Sequence, residues 1–297
     1  MPLVEIDGRT LSVSNLDKVL YPAVGFTKAQ VIDYYLRIAP VALAHLGDRG
    51  LTLRRFPNGV DGQSFYEKRC PGHRPDWVHT TPGPGDRSGP IGYCVLDSVA
   101  AMVWAANLAA LELHAPMARA GDPDEPTMVV FDLDPGEPAA MRECCQVALD
   151  IGEVLDAVGL RAWAKTSGSK GLQLYVPLNA SHTHEHASEF ARAVAQLLER
   201  RHPKRITSEM TKALRPNKVF IDWSQNSRHK TTIGVYSLRA RPEPTVSTPV
   251  DWHEVEQGAD GEHPSGLRFL TDDVLERVSR LGDLFAETAT LEQHLPG

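Results

Sequence analysis

The chain has 297 residues, 42% hydrophobic and 23% charged, a composition typical of a globular protein with a buried core. No apolar run approaches the roughly 18 residues of a transmembrane helix, and the N-terminus lacks a basic-then-apolar signal pattern, so we expect no membrane segment. The cysteines at 70, 94, 144 and 145 form no CxxC pair, which predicts reduced thiols in a cytoplasmic protein.

The net charge of −7 argues against a nucleic-acid partner, but the charge is unevenly distributed. Residues 200–241 hold eleven Lys and Arg against only Glu209 and Asp222, a local charge of +9. Phosphate binding depends on the local field more than on total charge. The stretch therefore predicts a polyanion site, with a solvated basic face as the alternative.

In chain order, the first half predicts a strand near 11–13 and then a helix that begins at the capping box 27–30 and continues through Val41. Residues 51–56 and 64–68 predict two strands that pair. Residues 70–91 are rich in proline and glycine and predict a long loop with 86–89 near its tip. Residues 98–113 predict an apolar helix.

The second half alternates helices and strands, which indicates a mixed α/β fold. Helices are predicted over 139–158, 185–201 and beyond Thr271, with a short one at 211–214. The predicted strands are 129–134, 162–166, 172–178, 219–223 and 232–237. The sequence contains no internal repeat or low-complexity linker, so we expect one compact unit of two interlocked modules.

Two aspartates end an apolar run and a third ends another run about ninety residues later. In a strand, Asp132 and Asp134 project to one side while Leu133 faces the core. Carboxylates this close repel each other unless a cation lies between them. With Asp222 on a neighbouring strand, the set predicts a divalent-metal site for phosphoryl chemistry, against the alternative that these acids only cap turns.

Two other clusters are weaker metal candidates. Cys70 and His73 have no second ligand pair at a suitable spacing, so they predict a structural loop rather than a zinc site. His182, His184 and His186 lie in a polar stretch and predict an exposed helix start rather than a ligand set.

The segment Ser167-Gly168-Ser169-Lys170-Gly171 separates two predicted strands. It is not a Walker loop, which leads into a helix. Its glycines still allow backbone N–H groups to converge on an anion, and its lysine supplies charge. The pattern alone is weak, but it falls between the two acid-bearing strands.

Together these motifs resemble the polymerase domain of bacterial ligase D, in the archaeo-eukaryotic primase superfamily. The resemblance rests on 132–136, 166–171 and 222–226, and extends through 57–60, 112–114, 230–232 and 236–239. It spans about 11–284 and implies a single domain over 1–297. The implied fold is a mixed α+β primase-polymerase fold with an RRM-like catalytic sheet.

The resemblance implies a template-dependent nucleotidyltransferase that adds NTPs, or less readily dNTPs, to primer 3′ ends at breaks and short gaps in bacterial non-homologous end joining. It implies that Asp132, Asp134 and Asp222 are catalytic and hold two divalent ions, Mn²⁺ in preference to Mg²⁺. The implied nucleotide-binding residues are Ser167, Lys170, His114, Arg239, Gln225, Lys230 and Arg54. The implied DNA-binding residues are Asn15, Lys18, Lys28, Phe65, Tyr66, Arg55 and Arg215.

Two of the implied DNA contacts have a direct physical basis. Lys28 lies at a predicted helix N-terminus, which favours a 5′-phosphate. The aromatic pair Phe65 and Tyr66 is suited to stacking on template bases. The sequence departs from the family pattern at Tyr66, where phenylalanine is expected, at Arg54, where lysine is expected, and in the loop near 83–89.

The implied partners are gapped or broken duplex DNA with a 5′-phosphate, a DNA ligase and the bacterial Ku protein, in the cytoplasm at the nucleoid. The sequence has no KxDG ligase signature. It therefore fits either an excised polymerase domain or a stand-alone gap-filling primase-polymerase of excision repair. A non-catalytic DNA-end binding module and a two-metal nuclease are further alternatives. A triphosphate pocket formed by Lys170, His114 and Arg239 would distinguish a polymerase from these.

Overall fold

The computed structural model describes residues 2–86, 89–263 and 266–296. The strands are β1 (Leu3–Ile6), β2 (Arg9–Ser12), β3 (Val19–Tyr21), β4 (Phe26–Thr27), β5 (Thr52–Arg55), β6 (Phe65–Glu67), β7 (His79–Asp86), β8 (Gly89–Val95), β9 (Ala110–Ala115), β10 (Ala118–Arg119), β11 (Asp122–Pro126), β12 (Met128–Pro135), β13 (Trp163–Thr166), β14 (Leu172–Pro177), β15 (Ile206–Thr207), β16 (Val219–Asp222), β17 (Thr232–Ile233) and β18 (Pro249–Val250). The helices are α1 (Lys28–Leu46), α2 (Val99–Asn107), α3 (Met141–Asp156), α4 (His184–Arg201), α5 (Trp252–Asp260) and α6 (Thr271–Leu281), with 3₁₀ turns at Lys212–Leu214, Trp223–Asn226 and Ala286–Ala289.

The chain divides into two compact units whose segments alternate along the sequence. The first unit is Met1–Gly121, Thr231–Ser247 and Leu270–Gly282, and the second is Asp122–Lys230, Thr248–Phe269 and Asp283–Gly297. Within the described ranges, no helix is long and apolar enough to cross a membrane. The expected mixed α/β fold is confirmed, while the assignment of the whole chain to one domain stays a prediction.

The first unit contains a four-stranded sheet in the order β17-β9-β5-β6 and the hairpins β1–β2, β3–β4 and β7–β8. The predicted capping box opens α1, because Thr27 and Gln30 exchange side-chain and backbone hydrogen bonds. Buried tyrosines tie α1 to neighbouring backbone: Tyr34 donates to the Tyr236 carbonyl at 2.8 Å and Tyr35 to the Leu111 carbonyl at 2.7 Å.

The second unit is built on a six-stranded sheet in the order β15-β16-β12-β14-β13-β18. Its pairs are antiparallel except β15–β16. Helices α3 and α4 contact β12, where Phe131 and Leu133 are fully buried. Helix α5 packs on α3 so closely that a Cβ at Gly258 would lie 2.7 Å from the Cys145 sulfur. The acid-bearing strand β12 therefore lies inside the sheet, between β16 and β14, with helices packed on it.

Three predicted elements are wrong. The strand predicted over 232–237 is only Thr232–Ile233, because the chain turns at 235–236. The long loop over 70–91 is in large part the antiparallel hairpin β7–β8, with Pro82 opposite Gly92. A two-stranded ribbon tolerates proline because one side of each strand needs no ladder hydrogen bond. The tip residues Arg87 and Ser88 lie outside the described residues. The apolar helix predicted over 98–113 ends at Asn107, since Ala109 has φ +57° and the chain continues as β9.

The expectation of four reduced cysteines is also wrong. Cys70 and Cys94 form a disulfide, 24 residues apart in sequence. The Cys70 N–H donates to the Gly92 carbonyl at 2.8 Å, so β8 carries Cys94 to its partner. The hairpin that sequence analysis treated as a loop brings the two together. Cys144 and Cys145, by contrast, are free thiols buried in α3.

Candidate active site

The three predicted acids lie on one face of two adjoining strands in the second unit. Asp132 and Asp134 flank the fully buried Leu133 on β12, so both project away from the helices. Asp222 ends β16 and is paired directly with Asp132 across the antiparallel ladder. Directly paired residues share a face of the sheet, so all three carboxylates lie on the same side.

These carboxylates affect one another. Burial and the charge of Asp134 raise the pKa of Asp132 to about 7, with a further rise from Asp222, against the lowering effects of a Gln173 hydrogen bond and the Lys165 charge. Negative charge is therefore under-compensated around Asp132. Carboxylate oxygens are also preferred ligands of Mg²⁺ and Mn²⁺, so the donor set fits a divalent cation in both charge and chemistry.

The side chain of Asp222 is held by its own turn. Its Oδ1 accepts from the Ser224 N–H at 3.0 Å and the Ser224 hydroxyl at 2.6 Å, and its Oδ2 accepts from Gln225 at 2.8 Å. Over the described ranges, no three His, Cys, Asp or Glu side chains are arranged as a ready-made metal site. Three accepted hydrogen bonds leave one lone pair of Oδ2 open for coordination of a cation.

The loop 167–171 packs against the acid-bearing strand. A Cβ at Gly171 would lie 2.2 Å from the Leu133 carbonyl oxygen, so only glycine allows this approach. The N–H groups of Ser169 and Gly171 donate to the Ser167 hydroxyl, and the binding of an anion by this loop stays a prediction. Lys170 is exposed and bonds Glu137 at 2.6 Å, just beyond the turn that follows Asp134.

Arg215 and Lys230, also in the second unit, differ in their surroundings. Arg215 lies 3.7 Å from the centre of the Phe220 ring, and Phe220 pairs directly with Asp134. Arg215 therefore packs on the strand partner of Asp134, while Lys230 is exposed in the loop after Ser227.

The block of positive charge predicted over 200–241 is partly neutralised by acids from elsewhere in the chain. Arg205 pairs with Asp150, and Arg228 with Asp124 at 2.5 Å.

His184 lies at the start of α4, within the segment 182–186 for which the sequence predicts a helix start. The Thr183 side chain caps α4, and His184 is its first residue, with its ring nitrogens 2.9 Å from the Asn226 carbonyl and 3.2 Å from the Pro123 carbonyl.

In the first unit, Glu112 contacts three of the seven predicted nucleotide-binding residues, although the sequence analysis assigns it no role. Its side chain on β9 is 1% exposed. Oε2 accepts from Arg54 at 3.2 Å and lies 3.0 Å from His114 Nε2, while Oε1 lies 3.3 Å from Arg239 Nε. The signal available in the sequence was an acid at alternate spacing with His114 inside an apolar run.

Glu112 is strongly compensated. Burial alone would raise its pKa, but the His114 hydrogen bond and the Arg239 charge lower the pKa of Glu112 to about 2. Burial and the like charge of Arg239 also lower the pKa of Arg241, with Arg54 adding to the effect. Three arginines around one carboxylate leave an excess of positive charge, which suits a polyphosphate.

The residues predicted to contact a 5′-phosphate lie together in the first unit. Lys28 is nearly buried at the start of α1 and donates to the Ser14 carbonyl at 2.7 Å. Burial and the charges of Lys18 and Arg55 lower the pKa of Lys28 to about 8. The Asn15 carbonyl accepts the Lys18 N–H at 3.0 Å. The cluster concentrates positive charge, which favours an anion.

Phe65 and Tyr66 are 43% and 57% exposed on the edge strand β6, where successive side chains point to opposite faces. The Arg55 guanidinium lies 5.2 Å from the centre of the Phe65 ring. Tyr66 lies 5.2 Å from the Arg54 guanidinium and 5.5 Å from His114. Tyr66 therefore belongs to the Glu112 side of the sheet, apart from Phe65.

With this geometry described, comparison with known proteins identifies the family. The family described as "LigD, primase-polymerase domain" matches residues 27–285. The chain belongs to this family. The suspected resemblance to the ligase D polymerase domain is confirmed, and so is the predicted enzyme class, a nucleotidyltransferase.

Individual members of the LigD primase-polymerase family are similar over most of the chain. The multifunctional non-homologous end joining protein LigD of Mycolicibacterium smegmatis is 45% identical over 277 residues, 92% of this chain and 35% of that protein. The bifunctional protein LigD of Bacillus subtilis is 30% identical over 273 residues, 92% of this chain and 43% of that protein. The chain thus spans only a third to under a half of these relatives.

The similarity extends to a solved structure, the polymerase domain from Mycobacterium tuberculosis ligase D in complex with DNA. Its TM-score is 0.88 at 42% identity, covering 95% of this chain and 99% of that one. The predicted primase-polymerase fold is therefore confirmed.

Proposed function

We propose that this chain extends primer 3′ ends in a template-dependent reaction at DNA breaks and short gaps, and that it prefers NTPs to dNTPs. The observation that carries the proposal is the placement of Asp132, Asp134 and Asp222 on one face of two paired strands. The relatives are named for non-homologous end joining, and we propose the same process here.

Two divalent ions, Mn²⁺ in preference to Mg²⁺, would activate the primer hydroxyl and offset the charge that develops on the α-phosphate. Asp132, Asp134 and Asp222 would supply the oxygen ligands for them. Arg54 and Arg239, held by Glu112, supply fork-like donors for the triphosphate of the incoming nucleotide. We assign the same substrate to the candidates His114, Ser167, Lys170, Gln225 and Lys230.

The cationic cluster of Lys18, Lys28 and Asn15 supports recognition of the 5′-phosphate across a gap. Phe65 offers an exposed ring beside Arg55 for stacking on DNA. We propose gapped or broken duplex DNA as the partner, with a DNA ligase and the Ku protein acting on the same ends at the nucleoid.

Primer extension on a one-nucleotide gapped duplex tests the proposal. Wild type, Asp132→Ala and the control Asp156→Ala, which removes an exposed carboxylate at the end of α3, are compared with Mn²⁺ and either NTPs or dNTPs. We expect extension that favours NTPs, is stimulated by a downstream 5′-phosphate and is lost only in Asp132→Ala. DNA binding without incorporation would favour the non-catalytic end-binding module, and removal of nucleotides would favour a nuclease.

A further inference from the structure

We propose that Gln173 and Lys165 are positioning residues that fix the carboxylate of Asp132 for metal binding, an inference that rests on the proposed function. The two residues belong to a polar row across the second unit's sheet. Lys165 on β13 pairs with Gln173 on β14, Gln173 pairs with Asp132, and Asp132 pairs with Asp222. Directly paired residues share one face, so the row leads from a buried cation to the acids.

Hydrogen bonds follow the same row. Lys165 Nζ donates to Gln173 Oε1 at 2.5 Å, and Gln173 Nε2 donates to Asp132 Oδ1 at 3.0 Å. Lys165 is 1% exposed and Gln173 2% exposed, so neither interaction competes freely with solvent. Burying a polar side chain costs free energy unless its hydrogen bonds are made, so a buried lysine and glutamine in one row indicate a specific role.

The chemistry of the row allows only one orientation of the glutamine. Its carbonyl oxygen accepts from the Lys165 ammonium and, at 3.3 Å, from the Tyr175 hydroxyl. A flipped amide would set its NH₂ group against these donors and its oxygen against the Asp132 carboxylate. Lys165 therefore acts through Gln173: it locks the amide so that an N–H always faces Asp132.

A donor locked on one carboxylate oxygen limits rotation of the whole group. Asp132 then presents its remaining ligand positions in one direction, and a cation meets a carboxylate that is already ordered. Groups that orient a metal ligand in this way typically contribute 10–100-fold to metal affinity or activity. We expect Gln173→Leu and Lys165→Met each to weaken Mn²⁺ binding about 10-fold.

The test measures Mn²⁺ binding to the full chain by the loss of the free-ion electron paramagnetic resonance signal, with thermal melts to establish folding. The variants are Gln173→Leu, Lys165→Met, their double variant, Asp132→Ala and the control Gln146→Leu, whose glutamine donates to the Ala259 carbonyl on the helical side. Because Lys165 acts through Gln173, the double variant should bind Mn²⁺ no more weakly than Gln173→Leu alone. The Mn²⁺ concentration for half-maximal extension should rise in parallel, at an unchanged KM for the nucleotide.

The outcomes separate the inference from the proposed function. Loss of Mn²⁺ binding in Asp132→Ala with wild-type binding in folded Gln173→Leu would overturn the positioning role and leave the function intact. Equal Mn²⁺ binding by wild type and Asp132→Ala would instead overturn the metal site itself. If Lys165→Met fails to fold, a comparison of Mn²⁺ binding by Gln173→Leu and by the control Gln146→Leu still decides whether Gln173 positions Asp132.

Discussion

Asp132 in the second unit and Glu112 in the first are both recessed carboxylates on strands, yet their pKa values move in opposite directions. Burial and two neighbouring acids raise the pKa of Asp132 to about 7. Glu112 is more deeply buried, but His114 and Arg239 lower its pKa to about 2. Burial is common to both, so the difference comes from the charges that each strand places beside the carboxylate.

The difference in pKa shows which charge is in excess in each unit. The second unit collects carboxylates with too little positive charge, an environment that fits cations. The first unit surrounds one carboxylate with arginines, an environment that fits an anion such as a triphosphate. A nucleotidyltransferase needs both kinds of ligand, and we propose that the two sheets of this chain each bind one of them.

The largest effect is expected from Glu112→Gln, which leaves two largely buried guanidinium groups without a counter-charge. We expect a loss of about 3–5 kcal/mol in the free energy of unfolding at pH 7. Because the folded pKa is about 2 against an ordinary 4.5, Glu112 stabilises fully above about pH 4.5 and progressively less as the pH falls through 2. Urea unfolding across this range should show the two proteins converging in acid. Glu137→Gln, a control at an exposed ion pair, should change the stability little.

Asp132→Asn is expected to change the free energy of unfolding in the opposite direction, towards greater stability. The raised folded pKa of Asp132 means that the wild type loses stability as the pH rises from about 4 to 7, while asparagine does not titrate. With a chelator present, the variant should be more stable than the wild type at pH 8, on the order of 2 kcal/mol, and nearly equal at pH 4. A variant that is less stable than the wild type at pH 8 would contradict the contrast drawn between Asp132 and Glu112.

Lys28→Gln tests the predicted 5′-phosphate site, the second cationic site of the first unit. Removing this charge should reduce the stimulation of extension by a downstream 5′-phosphate about 10-fold, the size of one charged hydrogen bond. Extension on a gap that lacks the phosphate should be unaffected. Lys68→Gln, an exposed lysine of the same unit, serves as the control. Equal loss on both substrates would point to a general DNA contact instead.

The smallest effects should separate the two aromatic residues of β6. Phe65→Ala should weaken binding of gapped DNA by about 1 kcal/mol, because its ring faces Arg55 away from the Glu112 cluster. Tyr66→Ala should instead raise the KM for the nucleotide, since its ring contacts Arg54 and His114. Fluorescence anisotropy with DNA and steady-state kinetics distinguish these outcomes. Identical effects of the two variants on DNA binding and on the KM would contradict the assignment of the two faces of β6 to different ligands.

Local patterns predicted much of the fold around the acids. The alternation Asp132-Leu133-Asp134 and the run that ends at Asp222 sufficed to place three carboxylates on strands, because strand periodicity is a local property. The same holds for α1, whose capping box and apolar spacing are contained within the helix itself.

The errors arose where long-range pairing decides the structure. Residues 110–115 continue the apolar pattern of the preceding helix through Leu111, Leu113 and Ala115, and pairing with β5 makes them a strand. That error concealed the cluster around Glu112, because its cations come from β5 and from Arg239, far along the chain. The disulfide between Cys70 and Cys94 was missed for the same reason, since it depends on the β7–β8 hairpin.

The most direct test of the two-site account is calorimetric titration of wild type, Asp132→Asn and Glu112→Gln with Mn²⁺ and, separately, with tripolyphosphate. The account predicts that Asp132→Asn loses Mn²⁺ binding and keeps tripolyphosphate binding. Glu112→Gln should show the reverse pattern, weaker tripolyphosphate binding with unchanged Mn²⁺ binding, because Arg54 and Arg239 lose the carboxylate that orients them and this loss outweighs the added positive charge. If either substitution altered the binding of both ligands equally, or of neither, the assignment of cations to one unit and anions to the other would be contradicted.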